Sequence, residues 1–80
     1  MNEVSKFPDN LVDKYGKPIK EDDVIYDGKD YYTIYWNELH PQVEAFSPTY
    51  GYIHNLTNET LAKFERIGTS EECEDIMTVD

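Results

Sequence analysis

Four side chains could hold a metal ion if the fold gathered them: Asp22, Asp23, His40 and His54. Their spacing argues against it, because the histidines lack helical ligand spacing, no cysteine accompanies them, and adjacent aspartates on an extended chain point to opposite faces. The sequence therefore predicts solvated turn carboxylates and surface histidines, with no metal and no cofactor. The single cysteine, Cys73, lies between Glu72 and Glu74, whose charge disfavours the reactive thiolate. No nucleophile motif surrounds Ser47 or Ser70, and no glycine-rich phosphate loop is present. Chemistry on a substrate is not expected; the protein reads as a non-enzyme.

Binding is the better-supported use of these residues. The chain has seven tyrosines and one tryptophan in 80 residues, and a domain of that size buries only roughly 60% of its surface, so several rings must stay partly exposed. Tyr31 and Tyr35 are the first candidates, with Tyr50 and Tyr52 next, since rigid apolar area with a hydroxyl suits protein recognition. Asp22, Asp23, Asp27, Asp30 and Glu38 flank turns that a hairpin is expected to bring to one end of the fold. Seventeen acids against seven bases give a formal charge of -10, which repels phosphate backbones and anionic membranes and favours a basic partner.

The expected function is thus attachment to a basic protein through an acidic, tyrosine-bearing surface. In its sharpest form the carboxylates imitate phosphates and occupy a basic groove of a host nucleic-acid enzyme. Two alternatives stand beside it. Lys6, Lys14, Lys17, Lys20 and Lys29 crowd the first third of the chain, so a local patch could bind nucleic acid despite the net charge. The segment 42–46 could instead serve as an edge for self-association by strand addition, making the protein an assembly component.

The elements that position these residues read as strands. Val24-Ile25-Tyr26 and Tyr31-Tyr32-Thr33-Ile34-Tyr35-Trp36 flank Asp27-Gly28-Lys29-Asp30, which predicts a hairpin. Alternation places Tyr32, Ile34 and Trp36 on a buried face and Tyr31, Thr33 and Tyr35 on the other. Residues 42–46 form a third strand stopped by Ser47-Pro48, and residues 50–54 a fourth with Gly51 at a bend or bulge. Thr57 or Asn58 caps one short helix over residues 59–63, with an acid at its start and a base at its end. Phe64-Glu65-Arg66-Ile67 resumes a strand that Gly68 ends. Four or five short strands with one helical turn predict a mainly β, SH3-like or related small barrel, a shape that removes sheet edges.

Eighty residues allow one domain. Residues 69–80 hold five acids and no base, half the net charge, so the barrel is expected over 1–68, with its core over 7–68, and a mobile acidic tail over 69–80. No apolar run approaches the roughly 20 residues of a membrane span, and the N-terminus has no signal-peptide core, which predicts a soluble cytoplasmic protein.

Two segments carry a family likeness. Asp13-Lys14-Tyr15-Gly16-Lys17-Pro18-Ile19-Lys20-Glu21-Asp22-Asp23-Val24-Ile25 resembles the opening of YopX-like proteins, small all-β proteins of phages and prophages, with its D-x-x-G-x-x-I-x-E-G-D-[IV]-[IV] run. Leu61-Ala62-Lys63-Phe64-Glu65-Arg66-Ile67-Gly68 is similar to a later E-x-I-G element of that family. Asp22 replaces the usual glycine, a change aspartate tolerates because it visits left-handed backbone more readily than most residues. The run after Gly68 departs from the family's polar-aromatic ending. The resemblance implies a β-barrel YopX-like fold, a phage or prophage setting inside a bacterial cell, and no particular chemistry.

Overall fold

A computed structural model describes residues 7–74. Five strands, β1 (Asp23–Tyr26), β2 (Tyr31–Asn37), β3 (Gln42–Ser47), β4 (Gly51–Ile53) and β5 (Glu65–Thr69), form one antiparallel sheet in the order β4-β3-β2-β1-β5. One short helix, α1 (Asn58–Leu61), joins β4 to β5. The mainly β architecture with one helical turn is as expected. Among the described residues the ladder stays open, with β4 and β5 at its two edges.

The predicted hairpin forms for a local reason. The Asp27 carboxylate accepts hydrogen bonds from the backbone N–H of Lys29 (2.8 Å) and Asp30 (2.9 Å), and Gly28 takes a φ of 95° that a side chain would resist. Pairing then sets Ile25 opposite Tyr32 and Tyr26 opposite Tyr31. Ile25, Tyr32, Ile34, Val43 and Ala45 are buried on the inner face of the sheet, while Trp36 is only partly covered. Their cover comes from two non-strand segments. Phe7, Leu11 and Ile19 arrive from the N-terminal arm, and Leu56, Leu61 and Phe64 from the α1 connection. Burying these aliphatic and aromatic side chains supplies the main stabilisation, at roughly 1.5–3 kcal/mol each.

The arm is locked to β5 by carboxylates. Asp13 accepts from the N–H groups of Tyr15, Lys17 and Arg66, each at 2.8 Å. Burial pushes the Asp13 carboxyl up, but these three donors outweigh it and hold it below the usual carboxylate value. Of the two expected caps, Asn58 lies inside α1 as its first residue. Thr57 is the N-cap residue, without a side-chain bond, and the Asn58 amide instead bridges to Val12 N (2.9 Å) and Asn10 O (3.0 Å). The last turn of α1 has no base, since Lys63 falls beyond it.

The expected boundary at Gly68 is too early. The β5 strand continues to Thr69, Ser70 N donates to Asp22 O at 2.7 Å, and Cys73 is buried. Gly68 permits this closure, because a Cβ there would stand 2.8 Å from Glu72 Oε1 and 3.3 Å from Cys73 Sγ. Cys73 is therefore a packed thiol within residues 69–74. Burial raises its pKa first, and Glu72 adds to the shift. The remainder of the expected tail, residues 75–80, lies outside the described residues, as does Lys6.

At the start of β1, Asp22 stands with φ at 71°, the left-handed conformation its place in the resemblance suggested. Asp22→Gly should stabilise the fold by about 0.5–1 kcal/mol, the relief of that backbone less the extra chain entropy glycine loses. Thermal denaturation should show a midpoint higher by roughly 3–6 °C; a lower midpoint would mean the Asp22 side chain contributes more than its backbone costs.

Candidate protein-docking face

The outer face of the sheet is set by register. Thr33 lies opposite Phe46, Tyr35 opposite Glu44, and Phe46 in turn opposite Tyr52. Period-two alternation therefore gathers Tyr35, Gln42, Glu44, Phe46 and Tyr52 on the side away from the core, with His54 just beyond β4. Tyr52 is 59% exposed and Phe46 37%. Their rings touch, with centroids 4.8 Å apart and planes at 52°, and Tyr35 meets Tyr52 edge-on at 6.4 Å and 77°. No lysine or arginine belongs to this set.

Glu44 sits among these rings with 2% exposure. It accepts hydrogen bonds from Tyr35 Oη (2.6 Å), Gln42 Nε2 (2.6 Å) and His54 Nδ1 (2.8 Å). The Tyr35 hydroxyl, then the Gln42 amide and the His54 imidazole, hold the carboxyl down at about 2 against the upward push of burial. Glu44 is accordingly a fixed negative charge. Tyr35 is shifted the opposite way, first by burial and then by its bond to that carboxylate. His54 keeps an exposed ring, parallel to Tyr52 at 6.2 Å and 8°.

A depressed carboxyl stabilises the fold only while ionised. The Glu44 contribution should be complete above the ordinary glutamate value of 4.5 and disappear as pH falls toward about 2. Carbon-detected NMR titration should find the Glu44 carboxyl titrating at about 2, well below its ordinary value, and Glu44→Gln should flatten the stability profile across that window. Titration of Glu44 near its ordinary value would refute the arrangement.

The expected site residues separate into different roles. Tyr50 is exposed beside Tyr52's strand, whereas Tyr31 and Tyr35 are only half-exposed, Tyr31 being stacked on Tyr26 at 4.4 Å. The five carboxylates do not share one end. Asp27 and Asp30 occupy the β1–β2 turn, near the Ser47–Tyr50 turn, and Asp30 accepts a hydrogen bond from Ser47 Oγ. Asp22 and Asp23 lie at the other end of β1, level with the middle of β2, where Asp22 N donates to Ile34 O, and Glu38 lies beyond the end of β2. At about 3.3 Å per residue, the intervening strands separate them from Asp27 and Asp30 by roughly 10–20 Å. Asp23 is buried and paired with Arg66 at 2.7 Å, so its charge serves the fold. Segment 42–46 is no edge, since β3 pairs with β2 and β4.

Glu44, Phe46, Gln42 and His54 do not stand out in the sequence as members of a binding face. The signal is present in Gln42-Val43-Glu44-Ala45-Phe46, where apolar Val43 and Ala45 alternate with an outward Gln, Glu and Phe. Recognising the cluster requires the register that sets Tyr35 across from Glu44. Among the described residues no group of three or more His, Cys, Asp or Glu side chains could hold a metal, and no helix is long and apolar enough to cross a membrane.

Fold and face together define a small mainly β domain with an aromatic sheet surface built around an ionised carboxylate. No family model matches the chain, and no curated protein matches it.

Proposed function

We propose that this protein is a non-enzymatic binding module that docks onto a basic partner protein through the outer face of β2, β3 and β4. The observation that carries the reading is the exposed Phe46–Tyr52 pair, two large rings in contact on a paired strand, in a chain of net charge -10. Aromatic anchors on a rigid surface lose little side-chain entropy on binding, and the acidic field draws a cationic partner toward them. The YopX-like resemblance supports a phage or prophage accessory role in the bacterial cytoplasm. Docking is favoured over phosphate imitation because Asp23 and Glu44 are buried and Asp22, Asp27, Asp30 and Glu38 are spread along the sheet.

The test pairs capture with kinetics. A partner retained from bacterial lysate by the wild-type chain should be lost by Phe46→Ala/Tyr52→Ala, with each single change weakening binding by roughly 5–30-fold. Its on-rate should fall steeply as salt rises from about 50 to 500 mM. Equal retention by the double variant would place the contact elsewhere.

One observation favours a second reading. Lys14 Nζ and Lys17 Nζ lie 5.2 and 5.9 Å from the centre of the exposed Tyr15 ring, a local cationic and aromatic turn suited to a single strand of nucleic acid. Labelled single-stranded and duplex DNA at low salt distinguishes the two: binding abolished by Tyr15→Ala would put nucleic-acid recognition ahead of protein docking.

A further inference from the structure

The docking face combines three features that together select a ligand group. Its rings stand at steep angles to one another, and Tyr52 and Phe46 are exposed while Tyr35 is partly so. A fully negative carboxylate, Glu44, lies beside them, engaged by neutral donors and by the His54 imidazole. No lysine or arginine of β2, β3 or β4 answers that charge. Ring faces carry negative electrostatic potential, and a fixed neighbouring anion adds to it.

Resting on the docking reading above, we propose that the partner's anchor on this face is an arginine side chain, its guanidinium laid on the Tyr52 ring beside Phe46 and Tyr35 and drawn there by the Glu44 charge. Arginine fits better than lysine because the surface is open. A compact, strongly hydrated ammonium needs an enclosing cage to replace its water, whereas the planar and weakly hydrated guanidinium stacks on an exposed ring while its edge stays wet. Water and the Tyr52 hydroxyl can accept from its N–H groups at this open surface. An aliphatic anchor would gain area but nothing from the buried charge.

The experiment uses the full chain and two synthetic peptides of equal length and charge, one with arginine and one with lysine at every basic position, followed by NMR shifts and calorimetry. The arginine peptide should bind at least about 5-fold more tightly, a difference of about 1 kcal/mol, with the largest amide shifts at Phe46, Tyr52 and His54. Tyr52→Leu keeps apolar bulk on an exposed strand position and removes the ring; it should bring the two peptides to equal affinity while the thermal midpoint stays close to wild type. Equal binding of both peptides to the wild-type chain, with shifts still on this face, overturns the arginine assignment and leaves the docking face standing. Shifts confined to other surfaces overturn both.

Discussion

Arg66→Met is expected to destabilise the protein by about 3–5 kcal/mol, a large share of the roughly 4–12 kcal/mol that an 80-residue domain holds in total. The guanidinium Nε donates to Asp23 Oδ2 at 2.7 Å, with Nη2 at 3.4 Å from Oδ1, and Asp23 is 1% exposed. Methionine fills much of the same volume but leaves the Asp23 charge inside the fold with one backbone donor, Lys20 N at 2.7 Å. The loss comes from that stranded charge, so removing it as well should restore part of the stability. Asp23→Asn combined with Arg66→Met is expected to be less damaging than Arg66→Met alone, a coupling that urea denaturation of the two single variants and the double variant can measure. A single variant within about 1 kcal/mol of wild type would show that the pair is a surface contact in effect.

Ile34→Ala should cost about 3–4 kcal/mol, because the side chain is wholly buried at the middle of β2 and its removal leaves a cavity that neighbouring strands cannot close. Tyr52→Ala, on the outer face, should change stability by less than about 1 kcal/mol. The contrast is the useful quantity. Both residues are large and both lie on strands, Ile34 on central β2 and Tyr52 on edge β4, but their faces predict opposite outcomes: a large loss of stability for one, loss of binding with fold retained for the other. Comparable destabilisation by the two changes would mean that the outer rings belong to a second core.

Much of the fold was legible. The hairpin around Asp27-Gly28-Lys29-Asp30 was readable because turn chemistry is local: an aspartate reaches its own downstream N–H groups and a glycine accepts positive φ. The left-handed Asp22 followed only from the resemblance, where glycine usually stands at that place. Errors arose where a residue's fate depends on a distant partner. Composition marked residues 69–80 as a mobile tail, but the Gly68 surface admits Cys73 and Glu72, and Asp22 O receives Ser70 N. The five carboxylates fail to gather at one end because antiparallel strands send successive turns to opposite ends of the sheet. Asn58 looked like a cap and became a tether for the N-terminal arm, since Val12 and Asn10 reach it across the chain.

By itself, the sequence determined the short strands, their turns, the buried alternation of Tyr32 and Ile34, and the acidic balance, all of which follow from side-chain periodicity and local hydrogen bonding. Only the tertiary structure decided which rings are surface and which carboxylates are free. Pairing β3 against β2 placed Glu44 under the Tyr35 hydroxyl, pairing β4 against β3 laid Tyr52 on Phe46, and folding β5 back onto β1 turned Asp23 from a surface acid into an internal ion pair. Asp23 and Arg66 are 43 residues apart, and even the contacts between neighbouring strands depend on pairing register, since a one-residue slip would send the slipped strand's side chains to the other face.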